Sequence, residues 1–337
     1  MPRVETSPTR TGSCPVVVKS GAGLLIKRIV NRTLLPLWNQ LYLDLGNGPA
    51  DAVFLAGTER SGTTWVADTI NYDGSYRFMF EPFWGQKVPA SSVIGPQEYI
   101  RPCDRSADKV AAATRIISGK IRNAWVDGLH RAFFARRRLL KDVRSNLYLK
   151  WLKSLFPDMP MILLIRHPCA VAKSQIERKH GFAPTEKTFL SQPDLVEDYL
   201  GPFADDIRQS RSPFEDRIFR WCIQNFVPLK QFRNDELHVV FYERLCVDPA
   251  AEYQSIMNYL NVPFDNRIVM ASSSPSPMSQ QESAVNTGAS LVDSWRNSVS
   301  SADASAAVDI LRLFGLDSMY GESSMPSEDA ISQVMRS

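Results

Sequence analysis

Gly57-Thr-Glu-Arg-Ser-Gly62-Thr63-Thr64 is the stretch of this 337-residue chain whose residue types point most directly to chemistry. Glycines at both ends let a backbone turn sharply and bring its N–H groups onto an anion. A helix opening at Thr63 would add the partial positive charge of its N-terminus, and Thr63 and Thr64 would add hydroxyl donors. The spacing is nearly Gly-x4-Gly-Lys-Ser/Thr, the loop that cradles nucleotide phosphates. Thr63, however, stands where that loop carries its lysine, and the basic residue lies inside the loop as Arg60. A kinase must hold Mg²⁺ and a triphosphate, usually with an acidic residue ending a nearby strand. A metal-free transfer of an anionic group suits the loop better.

The second constellation is Arg166-His-Pro-Cys-Ala-Val-Ala-Lys-Ser174, with Arg178 four residues beyond. Arg166 leaves the apolar run Met161–Ile165 at its carboxyl end, where open parallel sheets bind ligands. Ser174 and Arg178 fall on one face of the helix expected next. Two guanidinium forks and a hydroxyl so placed would clasp one phosphate. The plainer alternative is an arginine paired with an acidic neighbour and two surface helical residues.

These loops need strands and helices to aim them. Apolar runs predict strands at Ala52–Ala56, Leu139–Val143, Met161–Ile165 and Leu237–Tyr242. Helical patterns fall over Thr63–Ile70, Ile116–Leu139, Leu147–Leu155, Val171–Lys179 and Ala250–Leu260. Strands alternating with helices imply an α/β fold: a P-loop-type parallel sheet with helices on both faces, in a single domain over 49–318. Residues 1–20 and 319–337 read as flexible tails, and Ser272–Ser283 as a mobile loop. Residues 21–48 carry Leu24, Leu25, Ile29, Val30 and Leu34 with Lys27, Arg28 and Arg32 between them, an amphipathic helical segment. It is expected to pack on the domain, with peripheral contact to a membrane surface as the alternative.

Composition narrows the classes. With 44% hydrophobic residues, 17 Phe and 7 Trp, the chain is not disordered, and no apolar run approaches the ~20 residues of a membrane helix. The first residues lack the apolar core of a secretory signal, and five scattered cysteines form no Cys-x-x-Cys pair. A reducing, cytoplasmic setting without a structural metal is the expectation. The net charge of +3 hides a block from Arg101 to Lys150 that carries about +9, densest at Arg136-Arg137-Arg138. Its plain reading is a solvated helix face, on which His130 would be exposed. The sharper reading is a surface attracting an anionic nucleotide or acceptor. Nucleic acid is not expected, since no recognised binding motif accompanies the patch.

Taken together, the two loops resemble those of the sulfotransferases that use 3′-phosphoadenosine 5′-phosphosulfate (PAPS). Thr58-Glu-Arg60-Ser61-Gly62-Thr63-Thr64-Trp65 is similar to that family's loop for the 5′-phosphosulfate, and Arg166-x-Pro-x5-Ser174 to its loop for the 3′-phosphate. The likeness extends over roughly Asp51 to Phe314. Phe80-Glu81-Pro82-Phe83-Trp84 resembles the Tyr-Glu-Pro-Leu-Trp segment of the carbohydrate sulfotransferases, and tyrosylprotein sulfotransferases place a catalytic glutamate at a similar distance. The resemblance implies Glu81 as general base and PAPS as donor, with 3′,5′-adenosine bisphosphate (PAP) as product. It also implies Tyr242, in Phe241-Tyr-Glu-Arg-Leu245, beside the nucleotide, and Arg296, in Ser294-Trp-Arg296, on a flap over it.

A raised pKa would match Glu81 to the role of base. Arg60 and the N–H groups of Ser61 to Thr64 would stabilise charge on the sulfate and the leaving phosphate. Trp84 is a candidate platform for a sugar face. Lys141 and Arg144 are candidates for contact with acceptor or sulfate, ordinary surface cations being the alternative. A carbohydrate hydroxyl, or an amine, is the expected acceptor, with a protein tyrosine or a small alcohol as alternatives. A P-loop kinase and a non-catalytic nucleotide-binding protein are the readings from other classes. Neither the acceptor's identity nor the oligomeric state has a code in the sequence.

Overall fold

The computed structural model describes residues 42–46, 48–179, 181–233, 235–274 and 290–327. Most of the segment read as an amphipathic helix, the 1–20 and 328–337 stretches and most of the Ser/Pro-rich loop lie outside those residues. Among the described residues there are seven strands: β1 Leu43–Asp44, β2 Ala52–Gly57, β3 Tyr76–Phe80, β4 Phe134–Ala135, β5 Arg137–Asp142, β6 Met161–Ile165 and β7 His238–Phe241. Five of them form one parallel sheet in the order β3-β5-β2-β6-β7, the expected α/β architecture. The helices used below are α1 Thr63–Ile70, α2 Ala107–Ile117, α3 Leu149–Leu155, α4 Pro168–Glu177, α5 Pro213–Gln231, α6 Tyr242–Val247, α7 Pro249–Tyr259, α8 Arg267–Ser272 and α9 Ser301–Leu313.

Period-two alternation divides the core between the two faces of the sheet. Phe54 and Ala56 of β2, with Met161, Leu163 and Ile165 of β6, face α2, α3, α4, α5 and α9. Val53, Leu55, Ile162 and Leu164 face α1, α7 and α8. Both faces are dry, which is why β2 and β6 read as unbroken apolar runs. β2 is central and β6 lies beside it, with Gly57 opposite Leu164. The loops that leave the carboxyl ends of these two strands are therefore brought side by side, at the place where open sheets hold ligands.

The basic block is built differently from the helix expected over Ile116–Leu139. α2 stops at Ile117, a loop follows, and Arg137–Asp142 is a strand. Arg138 is almost fully buried and grips Asp44 with two nitrogens, Nε–Oδ2 2.8 Å and Nη2–Oδ1 2.9 Å. Arg77, wholly buried, meets the same Asp44 at 3.0 Å and Asp127 at 3.0 Å. Gly119, at φ +70°, makes room for this network, since a Cβ there would lie 2.1 Å from Arg138 Nε. His130 is buried rather than exposed, and its Nδ1 accepts from the Phe78 N–H at 3.2 Å. Strand β3, which carries Arg77, has no counterpart among the expected strands.

Two further boundaries shift. Leu43–Asp44, inside the expected amphipathic helix, is strand β1 and pairs in parallel with β4. The C-terminal tail expected from 319 starts too early: Met319 and Tyr320 are fully buried. The Tyr320 hydroxyl donates to Glu243 Oε2 at 2.7 Å, and Arg244 reaches the Ser327 carbonyl at 2.7 Å. Acids and serines dominate the stretch beyond Asp317 and give it the composition of a tail, while Met319 and Tyr320 among them supply the apolar surface that anchors it. Replacing Tyr320 by Phe strips a buried carboxylate of a donor, so denaturant unfolding should report a loss of about 1–3 kcal/mol. Unchanged stability would mean that Glu243 does not depend on this segment.

Candidate active site

The first loop runs from β2 into α1 and is fixed by its own backbone. Ser61 N–H and Oγ–H both donate to the Thr58 carbonyl, at 3.1 and 2.7 Å. Arg60 and Gly62 take left-handed φ values of +77° and +98°. Only glycine fits at 62, because an added Cβ would stand 2.8 Å from the Tyr242 ring. The first bond within α1 is Val66 N–H to the Gly62 carbonyl, at 3.1 Å. The N–H groups of Thr63, Thr64 and Trp65 therefore have no acceptor in their own helix, the general condition of an anion-binding helix end. Trp65 ties the other side of the helix down through Nε1–H to the Ser272 carbonyl, at 3.0 Å.

The second loop meets the first through side chains. Arg60 Nε donates to Ser174 Oγ at 3.0 Å, and Arg166 Nη1 donates to the Arg60 carbonyl at 3.2 Å. The Arg166 guanidinium lies 4.2 Å from the centre of the Tyr242 ring. Arg178, the residue that caps α4, is close enough to act electrostatically on Arg60. Burial, then the charges of Arg178 and Arg166, pull Arg60 down to about 10. Among the described residues no carboxylate forms an ion pair with Arg60, Arg166 or Arg178. Three guanidinium groups gathered here without an ion-paired carboxylate leave positive potential for an anion to neutralise. Arg296 stands apart from this group: it donates to Ser324 Oγ at 3.0 Å and to the Glu322 carbonyl.

Glu243, which the sequence reading passed over between Tyr242 and Arg244, holds the second loop in place. Its Oε1 accepts from the His167 N–H at 2.9 Å while Oε2 takes the Tyr320 hydroxyl. His167 itself stacks on Trp295 at 4.4 Å and is pushed down to about 3, chiefly by burial and then by Arg296. It is a neutral packing element at ordinary pH.

Glu81 sits at the carboxyl end of β3 in a left-handed conformation, φ +43°, with its N–H on the Lys141 carbonyl at 2.7 Å. Both carboxylate oxygens are engaged, Oε1 by Lys141 Nζ at 2.7 Å and Oε2 by Arg144 Nη1 at 2.6 Å. Burial, the largest influence, pushes its pKa up, but Lys141 and Arg144 together outweigh it and the carboxyl lies below its ordinary value. That overturns the raised pKa expected from the sequence. Lys141 and Arg144 are not ordinary surface cations, since Lys141 is buried and Arg144 is capped by the Trp84 ring at 4.3 Å. Trp84 is half-buried and edge-packed against Trp125 at 4.8 Å, a second aromatic the sequence reading did not single out.

Asp142 was also missed, although an acid directly after Lys141 at the end of an apolar strand was visible. It is wholly buried and accepts from the Phe83 N–H at 3.0 Å and the Arg144 N–H at 2.8 Å, so it fixes the turns that carry Glu81 and Arg144. Burial, then the Glu81 charge, push it up to about 6. Glu59, inside the first loop, is largely buried with Oε2 unpartnered, and burial raises its pKa. Protonating Asp142 removes an ionised acceptor from both turns, so kcat/KM should rise with pH through about 6. Asp142→Asn should abolish that limb. Glu81, shifted the other way, should contribute none there. A limb that survives in Asp142→Asn would contradict this assignment.

Among the described residues no cluster of three or more His, Cys, Asp or Glu is placed to hold a metal, and no helix is long and apolar enough to cross a membrane. Comparison with known proteins gives four matches. The chain is 31% identical over 128 residues to nodulation protein NoeE of Sinorhizobium fredii, a match that takes in 36% of this chain and only 30% of that protein. It can be superposed on the sulfotransferase domain from the curacin biosynthetic pathway with a TM-score of 0.44 at 14% identity, covering 81% of this chain and 99% of that one. The values for mouse sulfotransferase SULT7A1 complexed with PAP are 0.43 at 13% identity, covering 86% and 92%. A model of the sulfotransferase family matches residues 52–266, well over half of the chain and spanning both anion loops and the Glu81 turn: the chain belongs to the sulfotransferase family.

Proposed function

We propose that the protein transfers a sulfuryl group from PAPS to a hydroxyl of a carbohydrate, with Glu81 as the general base. The observation that carries the donor assignment is the cluster of Arg60, Arg166 and Arg178 without a carboxylate partner, set against the open N–H groups of α1. When bound, the donor would supply an activated sulfuryl group, as a phosphosulfate anhydride, and two phosphate positions for this charge. Arg166, Ser174 and Arg178 hold the 3′-phosphate; Arg60 and the open N–H groups of Thr63 and Thr64 take up the charge that gathers on the sulfate and the leaving phosphate, while the Ser61 N–H stays on the Thr58 carbonyl and shapes the loop. Tyr242 supports the loop through Gly62 and stacks beneath Arg166. Arg296 reaches the nucleotide only by leaving Ser324 and the Glu322 carbonyl, which hold it here.

Glu81 is ionised at neutral pH and so able to accept a proton. Both its oxygens are occupied, and the acceptor hydroxyl must exchange for one of the two cations, which is then free to meet the sulfate. The proton leaves the hydroxyl for Glu81 as its oxygen bonds to sulfur and the sulfur–phosphate oxygen bond breaks. The carbohydrate assignment is supported by the Trp84–Trp125 pair beside Glu81, an amphipathic aromatic surface of the kind sugar rings stack on. Labelled PAPS offered with oligosaccharides, acidic tyrosine peptides and small alcohols tests it. Transfer to an oligosaccharide, with a KM raised in Trp84→Ala, is expected. Transfer to the peptides alone would move the assignment to protein tyrosine.

A further inference from the structure

At the opposite end of β5 from Lys141 and Asp142 stands a two-stranded ribbon that the active site does not use. β1 and β4 pair with Leu43 opposite Phe134 and Asp44 opposite Ala135. Alternation turns Asp44 and Ala135 inward, Asp44 onto Arg77 and Arg138 and Ala135 into full burial. Leu43, Leu45 and Phe134 turn outward and are 49%, 48% and 58% exposed. Phe133, 57% exposed, lays its ring edge-on to Phe134 at 4.8 Å. Among the described residues nine large hydrophobic side chains are exposed; four are in this ribbon, including the only two aromatic ones. Isolated exposed leucines need no explanation, but a contiguous cluster does.

Charge frames the cluster. Arg131, Arg136 and Arg137 are all exposed around it. Arg131 reaches Asp68 only at 4.0 Å, and among the described residues no ion pair engages Arg136 or Arg137. Outward phenylalanines and leucines ringed by arginines match the boundary between anionic headgroups and acyl chains, where the rings enter and the guanidinium groups stay with the phosphates. A second copy of this chain would fit poorly, because a twofold contact would set the same arginines against one another.

We infer that the ribbon formed by Leu43, Leu45, Phe133 and Phe134, with Arg131, Arg136 and Arg137, docks the protein on an anionic bilayer surface. β5 runs six residues from Arg137 to Asp142, so the contact and Glu81 lie at opposite edges of the sheet. Docking leaves the mouth of the active site open to acceptors on the aqueous side.

The test is co-sedimentation of the full chain with vesicles of phosphatidylcholine, with and without about 30 mol% phosphatidylserine. Binding to the anionic vesicles that weakens as salt rises is expected. Each arginine near such a surface contributes roughly fivefold in affinity, so Arg136→Ser with Arg137→Ser should weaken binding by at least ~20-fold. Phe133→Ser with Phe134→Ser should weaken it by at least ~10-fold. All four positions are exposed, and an unchanged unfolding midpoint verifies that each variant is folded. No binding to anionic vesicles, or wild-type binding in both double variants, overturns the inference. So does a dimer in solution that the phenylalanine variant dissociates, which would assign the ribbon to a second copy.

Discussion

Glu81→Gln should lower kcat by a factor of about 10²–10⁴ while leaving the affinity for PAP unchanged or slightly tighter. Glutamine keeps the shape of the side chain and one oxygen acceptor, so the left-handed turn and at least one bond, to Lys141 or Arg144, can persist. It cannot take the acceptor's proton. Removing one negative charge beside the anion site favours an anionic ligand, which gives the affinity its sign. A purely structural ion pair would behave differently: losing it would disturb Lys141 and Arg144 and weaken ligand binding, with kcat reduced only in proportion. Steady-state kinetics with a binding measurement on the same protein separates the two. Unchanged turnover would remove Glu81 as the base.

Asp127→Ala should cost about 3–5 kcal/mol of folding stability, the largest such effect expected for a single position here. Asp127 is wholly buried; its Oδ1 accepts from Arg77 Nε and Nη2 and from the Tyr42 hydroxyl, and its Oδ2 from the Asn123 N–H. Without it the buried Arg77 guanidinium must share Asp44 with Arg138. A buried charge left short of its partner costs far more than the pair contributes relative to apolar residues. Denaturant unfolding measures the loss, and a change below about 1 kcal/mol would show that Asp44 suffices for both arginines.

How far the sequence could be read follows from the range of the forces involved. The first strand, its loop and α1 were legible because their signals are local: a continuous apolar run, two glycines at fixed spacing, then helix-forming residues. Arg166, Ser174 and Arg178 were legible for the same reason. The block around Arg136-Arg137-Arg138 was not. Its arginines look like a solvated helix face until Asp44, 94 residues from Arg138, is known to neutralise one of them. His130 misled in the same way, since its partner is a backbone N–H 52 residues distant. The charge state of Glu81 depends on Lys141 and Arg144 across the sheet, so a sequence reading that sees only a carboxylate in a cleft shifts it the wrong way. Tyr320 looked like tail because its partner, Glu243, lies 77 residues back.

The central claim is that Arg60, Arg166 and Arg178 form a site for a nucleotide phosphorylated at both the 3′ and 5′ positions. Thermal unfolding with PAP, AMP and ATP–Mg²⁺, in wild type, Arg166→Ala and Ser174→Ala, tests it most directly. A ligand at ~100 times its dissociation constant adds about 2.7 kcal/mol to stability, ample for a clear rise in midpoint. A rise with PAP, little with AMP or ATP–Mg²⁺, loss of the rise in Arg166→Ala and a smaller rise in Ser174→Ala are expected. A rise with ATP–Mg²⁺ and none with PAP would contradict it.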